Sequence, residues 1–506
     1  MTVSAILSID QGTTGTTVLV IDREGRVIGR AYSEIEQHYP EPGWVEHDAE
    51  EIWGSVERTL GEALSSADLK PENVSAVGIT NQRETAVVWD RESGQPIHRA
   101  IVWQCRRTAD ACRALREAGH EPLIRERSGL VVDPYFSGTK LAWILDRVPG
   151  ARARAEAGEL AAGTIDSWLV WKLTGGQVHA TEPTNASRTQ LYRIDERRWD
   201  PELCELLGVP GSVLPTVQPS GGTFGTTQGE LFGFEAPIAA VMGDQQAALY
   251  GQGCWQPGLA KCTYGTGAFL LVHTGEELVK SEHGLLTTVA CGPRGEAAYA
   301  LEGSIFIAGA AVQWLRDELG IVESAAQTED LARSLASNDG VYFVPAFVGL
   351  GAPHWLPEAR GTLVGLTRGS GRAHLARACL EAMAYSTRDL LEAIAEDWGR
   401  PVLELRVDGG AAANNWLMQF QANVASIPVR RPALIETTAF GAAALAGVST
   451  GFWSSPNELA HVQRTDRQFR PQLSQEERDG LLSGWRRAVQ AAGAWSRATD
   501  AAQIKE

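Results

Sequence analysis

The sequence predicts an α/β protein of two lobes around a cleft, and three observations carry that expectation. Short β-branched runs alternate with stretches of helical spacing, the pattern of a buried sheet covered by helices. The same opening (strand, Gly/Thr turn, strand) occurs near residue 10 and again near residue 265. The chain has 506 residues, more than a single ordinary core holds. The division falls near residue 250, giving lobes 1-250 and 251-506.

The elements follow in order. Residues 3–9 are an apolar run, a Gly-containing loop follows, and residues 18–21 are apolar again. Asp22, Arg23, Glu24 and Gly25 signal a turn, after which residues 27–31 resume strand character. Asp48 is placed to cap a helix in which Ile52, Trp53, Val56 and Leu60 recur at helical spacing. Residues 74–79 form a β-branched strand ended by the polar cluster Asn81, Gln82, Arg83 and Glu84. The apolar run 237–241 precedes Asp244 and a further helix. In the second half, residues 259–264 read as strand, Gly265-Thr266-Gly267 as a turn and residues 268–273 as strand. A helix from about 373 to 398 presents Leu375, Leu380, Met383, Leu390, Leu391 and Ile394 on an apolar face. A strand at 403–407, a glycine pair and a helix at 414–424 come next.

Composition narrows the function. With 44% apolar and 21% charged residues, the chain reads as globular. A formal charge of −17 argues against nucleic acid or an anionic membrane as a partner through a general basic surface. A nucleotide needs only a local nest of donors and a metal ion, so acidity does not oppose ATP. No run approaches membrane-spanning length, and the first residues lack the basic region of a signal peptide. The seven cysteines are scattered, odd in number and without a CxxC pair, as expected of reduced thiols in the cytoplasm. A homo-oligomer is left open.

Three loops suit a nucleotide. Asp10-Gln11-Gly12-Thr13-Thr14-Gly15-Thr16-Thr17 offers backbone N–H groups and hydroxyls to phosphates, with a carboxylate at the strand end for hydrated Mg²⁺. Read alone, it is equally a polar hairpin turn. Lys261-Cys262-Thr263-Tyr264-Gly265-Thr266-Gly267 is the second loop. Asp408-Gly409-Gly410-Ala411-Ala412-Ala413-Asn414 puts small residues at a strand-to-helix junction, where either a flat base or simple close packing needs them.

Arg83 and Glu84 follow a strand and read either as a solvated ion pair or as a donor and acceptor for hydroxyls. Trp103 is core or the wall of a pocket. Asp244, after the run 237–241, is a helix cap, a base able to take a proton from a hydroxyl, or both.

In this order, the three loops resemble those of the FGGY carbohydrate kinases. The resemblance spans residues 6–453 and includes Tyr135-Phe136-Ser137-Gly138-Thr139-Lys140 with Trp143, Gly361-Thr362-Leu363-Val364-Gly365-Leu366, His374-Leu375 and Glu381. It implies an actin/hexokinase-like (ribonuclease H-like) fold and ATP-dependent phosphorylation of a small polyol. By resemblance Thr13, Thr14, Gly15 and Thr266 meet the phosphates, and Gly309, Gln313, Gly410 and Asn414 surround the nucleotide. Arg83, Glu84, Trp103, Tyr135, Asp244, Gln245 and Phe269 match the polyol positions of the glycerol-phosphorylating branch. Asp244 takes the role of general base, and Asp10 with Asp244 that of Mg²⁺ ligands.

Two departures stand out. That branch usually has Arg where this chain has Thr17, so one cation near the phosphates is missing. Residues 230–235 lack both the Gly-Gly-Thr-Arg loop and the phosphorylatable His of regulated members, the aligned residue being Glu230. The competing expectations are a kinase for another polyol or ketose and an actin-like ATPase with no small-molecule acceptor.

Overall fold

The N-terminal apolar run forms the central strand of the first sheet, Ala5–Gln11, in the computed structural model, which describes residues 4–503. Gly15–Asp22 pairs with it antiparallel and Val27–Glu34 extends that side, again antiparallel. On the other side Val74–Asn81 and then Ile238–Gly243 add in parallel. The inner strands Ala5–Gln11, Val74–Asn81 and Ile238–Gly243 are buried along nearly their whole length, whereas the edge strand Val27–Glu34 alternates buried and exposed residues.

The second sheet repeats this plan. Its central strand is Leu259–Tyr264, with Ala268–Gly275 and Ala297–Ile305 antiparallel on one side. Glu404–Asp408 and Val429–Pro432 are parallel on the other. The five-strand core has the same order and sense as the first sheet, the ribonuclease H-like arrangement that the resemblance implied. Leu286–Cys291 and Thr465–Phe469 extend the two edges, making seven strands.

Helix boundaries follow local chemistry. Asp48 caps Ala49–Ser66, accepting the Glu50 and Glu51 N–H groups at 2.9 and 3.3 Å. The long helix is Arg372–Trp398, ended by Gly399 in the left-handed region. The strand expected at 403–407 is Glu404–Asp408. Asn414 accepts the Leu417 N–H at 2.9 Å and so caps Asn415–Ala425 from outside. No described helix is long and apolar enough to cross a membrane, and all seven cysteines are free and buried.

Two helices cross between the sheets. Asp244–Gly251 follows the last strand of the first sheet, and Thr437–Ser449 follows Val429–Pro432 of the second. A Cβ on Gly441 would lie 1.9 Å from the Ala247 carbonyl oxygen, and one on Gly251 would lie 2.0 Å from that of Thr437. Only hydrogen at both positions permits this approach. Phe440, Ala443 and Leu445 then pack against Ile6, Leu19, Ala76 and Met242 of the first sheet. Leu249 packs reciprocally against Leu271, Ala290 and Ala300 of the second.

Candidate active site

The first loop closes where the Gly12 N–H donates to the Gly15 carbonyl at 2.9 Å, leaving Thr14 exposed and Thr13 half-buried. Thr13 is tied down twice. Its hydroxyl accepts from Trp103 Nε1 at 2.9 Å, and its carbonyl accepts from Gln37 Nε2 at 2.8 Å. Gly15 has a packing reason, since a Cβ there would lie 2.5 Å from the Ser33 carbonyl oxygen. Asp10 stands opposite Thr17 in the hairpin, so the two side chains share a face. Burial, and then the charge of Asp244, raise the Asp10 carboxyl to about 7.

The second loop is fastened to the helix Gly309–Asp317. The Gly265 carbonyl accepts the Gly309 N–H at 2.9 Å, and that of Thr266 accepts Ala308 and Ala310 at 2.9 and 3.1 Å. Thr266 is left exposed at the tip, and Gln313 is exposed one turn into the helix. Thr263 pairs in register with Asp408, which brings the junction at 409–414 beside this loop. There Gly409, not Gly410, is the constrained glycine. Gly409 has φ 82° and a Cβ position 2.4 Å from the Tyr264 carbonyl oxygen, whereas a Cβ on Gly410 meets nothing. Gly410 is exposed beside Asn414.

Arg83 and Glu84 are not a solvated pair: each is 2% exposed. The Arg83 guanidinium forms a two-pronged pair with Glu302 at 2.7 and 2.9 Å and donates to Gln246 Oε1 at 3.1 Å. Its Nε is 3.3 Å from Asp244 Oδ1. Glu84 accepts from Arg188 Nε at 2.7 Å, and Arg188 also reaches Glu302 at 3.1 Å. Burial raises the Glu84 carboxyl, against the pull of Arg83 and Arg188. Burial acts the same way on Glu302, but there Arg188 and Arg83 outweigh it and hold the carboxyl at about 2.

Asp244 is the first residue of its helix, and Gly243 occupies the capping position. The expected cap is therefore corrected: Asp244 Oδ1 accepts the adjacent Gln245 N–H at 2.7 Å and lies 3.3 Å from Arg83 Nε. Gln245 accepts from the buried Lys261 ammonium, which also donates to Thr263 Oγ1 at 3.1 Å. Phe269 is the register partner of Thr263, which places it beside this group. Trp103 is half-buried: it packs against the core cluster that holds Val102 and Leu141, and meets Tyr135 edge-to-face at 5.6 Å between centroids. Lys140 Nζ fixes that pair by donating to the Tyr135 carbonyl at 2.5 Å.

The sequence reading left out Arg188 and Glu302, and gave Lys261 and Gln246 no role of their own. Glu302 had a signal, as a lone carboxylate inside the strand-like run Ala297–Ile305, where an unpaired charge is costly. Arg188 had none.

Two lobes of this plan, with threonine loops at the strand ends and carboxylates between them, define a phosphotransferase of the sugar-kinase type. The chain belongs to the FGGY family of carbohydrate kinases, whose N-terminal domain matches residues 5–251 and whose C-terminal domain matches residues 260–450. Within it, the chain is 55% identical to the glycerol kinase of Petrotoga mobilis, over 97% of this chain and 98% of that one. The crystal structure of Plasmodium falciparum glycerol kinase with ADP superposes with a TM-score of 0.93 at 34% identity, covering 97% and 98% of the two chains. A Brucella ovis structure described as a xyloylose kinase has a TM-score of 0.84 at 23% identity over 98% and 99%, a likeness of fold alone.

Proposed function

We infer that this chain transfers the γ-phosphoryl group of ATP to glycerol, giving sn-glycerol 3-phosphate and ADP. The observation that carries the reading is the 55% identity to a glycerol kinase over nearly the full length of both chains. The lobes are assigned as 1-250 and 251-506.

The geometry supports a division of labour. Phosphoryl transfer needs chiefly positioning and charge neutralisation. Trp103 and Tyr135 give the carbon edge of glycerol an apolar wall, and Phe269 adds to it from the second sheet. Arg83 donates to a hydroxyl, and Glu84, one of whose oxygens is held by Arg188, accepts with the other. Asp244 takes the proton from the attacking hydroxyl, with Gln245 beside it. Thr13, Thr14, Gly15 and Thr266 serve the phosphates, and Gly309, Gln313, Gly410 and Asn414 the adenosine. Asp10 and Asp244 suit Mg²⁺: burial, and then the charge of Asp244, raise the Asp10 carboxyl, and a divalent cation would offset that repulsion. When bound, the ion supplies neutralisation of phosphate charge. No cation stands at Thr17, and the buried Arg83 and Lys261 are the positive groups grouped with Asp244 and Gln245. Closure of the lobes excludes water and limits wasteful hydrolysis. Buried free thiols support a reducing compartment, and we place the enzyme in the cytoplasm.

The test is ADP release with glycerol, erythritol, xylulose or no acceptor. Rapid release with glycerol alone is expected. Preference for xylulose or erythritol would move the substrate within the family, and equal turnover without acceptor would leave an actin-like ATPase.

A further inference from the structure

Arg83 and Glu84, which the preceding reading gives to the polyol, belong to the first sheet's lobe, yet the group that orients them does not. Glu302 lies in Ala297–Ile305, a strand of the second sheet, and is fully buried. It takes both prongs of Arg83 at 2.7 and 2.9 Å and a third bond from Arg188 at 3.1 Å. Arg188 in turn holds Glu84 at 2.7 Å. Arg83 has five N–H donors, so these bonds, with that to Gln246, fix which remain for a ligand. Glu84 has a φ of 61°, a strained backbone for a residue with a side chain; Arg188 holds its carboxylate and Ser137 Oγ donates to its carbonyl at 3.1 Å. The four charges balance, two arginines against two glutamates. No group but Glu302 in this set comes from the second sheet.

We propose that Glu302 is a positioning residue for the phosphoryl acceptor: it crosses between the lobes to aim Arg83 directly and Glu84 through Arg188. The acceptor pocket is then complete only while the two sheets are together, so polyol affinity and lobe closure are coupled through this carboxylate. The proposal rests on Arg83 and Glu84 being the polyol groups.

Glu302→Gln keeps the shape and removes the charge. The expected result is a rise of roughly tenfold or more in glycerol KM, the cost of losing hydrogen bonds between charged groups. ATP KM should stay within about twofold, because uniform loss of fold or closure would move both constants. Glu302→Asp should recover part of the loss. An unchanged glycerol KM, or equal rises for both substrates, overturns the proposal. If the buried arginines left unpaired prevent folding, the charge-balanced double variant R188M/E302Q replaces the single one. The same selective rise is expected of it, and a wild-type glycerol KM overturns the idea. Arg83→Ala separates the layers. If it leaves glycerol KM unchanged, the pocket reading falls and this inference with it. If it raises KM while Glu302→Gln does not, only the inference falls.

Discussion

Asp244 has one oxygen on its neighbour's N–H and lies 3.3 Å from Arg83 Nε, whose charge is already matched by Glu302. Replacing it by Asn therefore preserves shape and the Gln245 contact without stranding a cation. Asp244→Asn should lower kcat by roughly 10²–10⁴-fold, the usual worth of a general base, with an unchanged thermal midpoint. Wild-type turnover in that variant would falsify the base assignment. His47 offers a second test, through pH. Its Nε2 bonds Gln37 Oε1 at 2.8 Å and its Nδ1 faces the Gln82 amide nitrogen at 3.3 Å, so the neutral ring fits and a second proton would oppose a donor. Burial, aided by His38, lowers it to about 4 from an ordinary 6.5. Between those values the unfolded chain binds the proton and the folded one does not, so stability is lost as pH falls from 6.5 through 4. The loss totals about 3 kcal/mol. A His47→Gln variant should show a correspondingly flatter stability profile in that window, and parallel profiles for the two proteins would count against this role. At this scale the site was half legible. Arg83, Glu84 and Asp244 stand next to recognisable turns, whereas Glu302 meets Arg83 across 219 residues of chain. No local pattern encodes that pairing.

Among the elements, the strands and the long helix were readable because burial on both faces and a capped 3.6-residue period leave marks within a few residues. Strand ends moved by a residue or two, as at Glu404–Asp408, and helix starts moved where a cap decided them, as at Asn414 and Gly243. The crossing of Asp244–Gly251 with Thr437–Ser449 was not readable, since a glycine in a helix looks like a defect until its neighbour is known. Gly441→Ala tests it. The added carbon meets a backbone carbonyl 1.9 Å away, which cannot swing aside as a side chain would. The helices must separate, at a cost near the upper end of the roughly 1–3 kcal/mol typical of overpacking. Asp244 begins one of them, so kcat should fall along with the denaturation midpoint. A variant with wild-type stability and rate would show that the crossing is looser than drawn.

For the molecule as a whole, duplication was evident in the two strand–turn–strand openings, but mutual dependence of the lobes was not. The first sheet is roofed on one face by Phe440, Ala443 and Leu445, nearly two hundred residues beyond its last strand. A fragment of residues 1–251 would carry the first phosphate loop and the acceptor-site residues other than Phe269, but not the positioning Glu302. It would also expose Ile6, Leu19, Ala76 and Met242 to water. Uncovering an apolar face of that kind forfeits about 25 cal/mol for each Å², against a net stability of only about 5–15 kcal/mol for a typical protein. The fragment should therefore lack a cooperative thermal transition and bind a hydrophobic dye. Mixing it with residues 252–506 should restore both the transition and glycerol-dependent ADP release, because the missing roof is then supplied in trans. If residues 1–251 alone melt cooperatively, the two sheets are separate folding units. Thr437–Ser449 would then be a docked helix and not part of the first lobe's core.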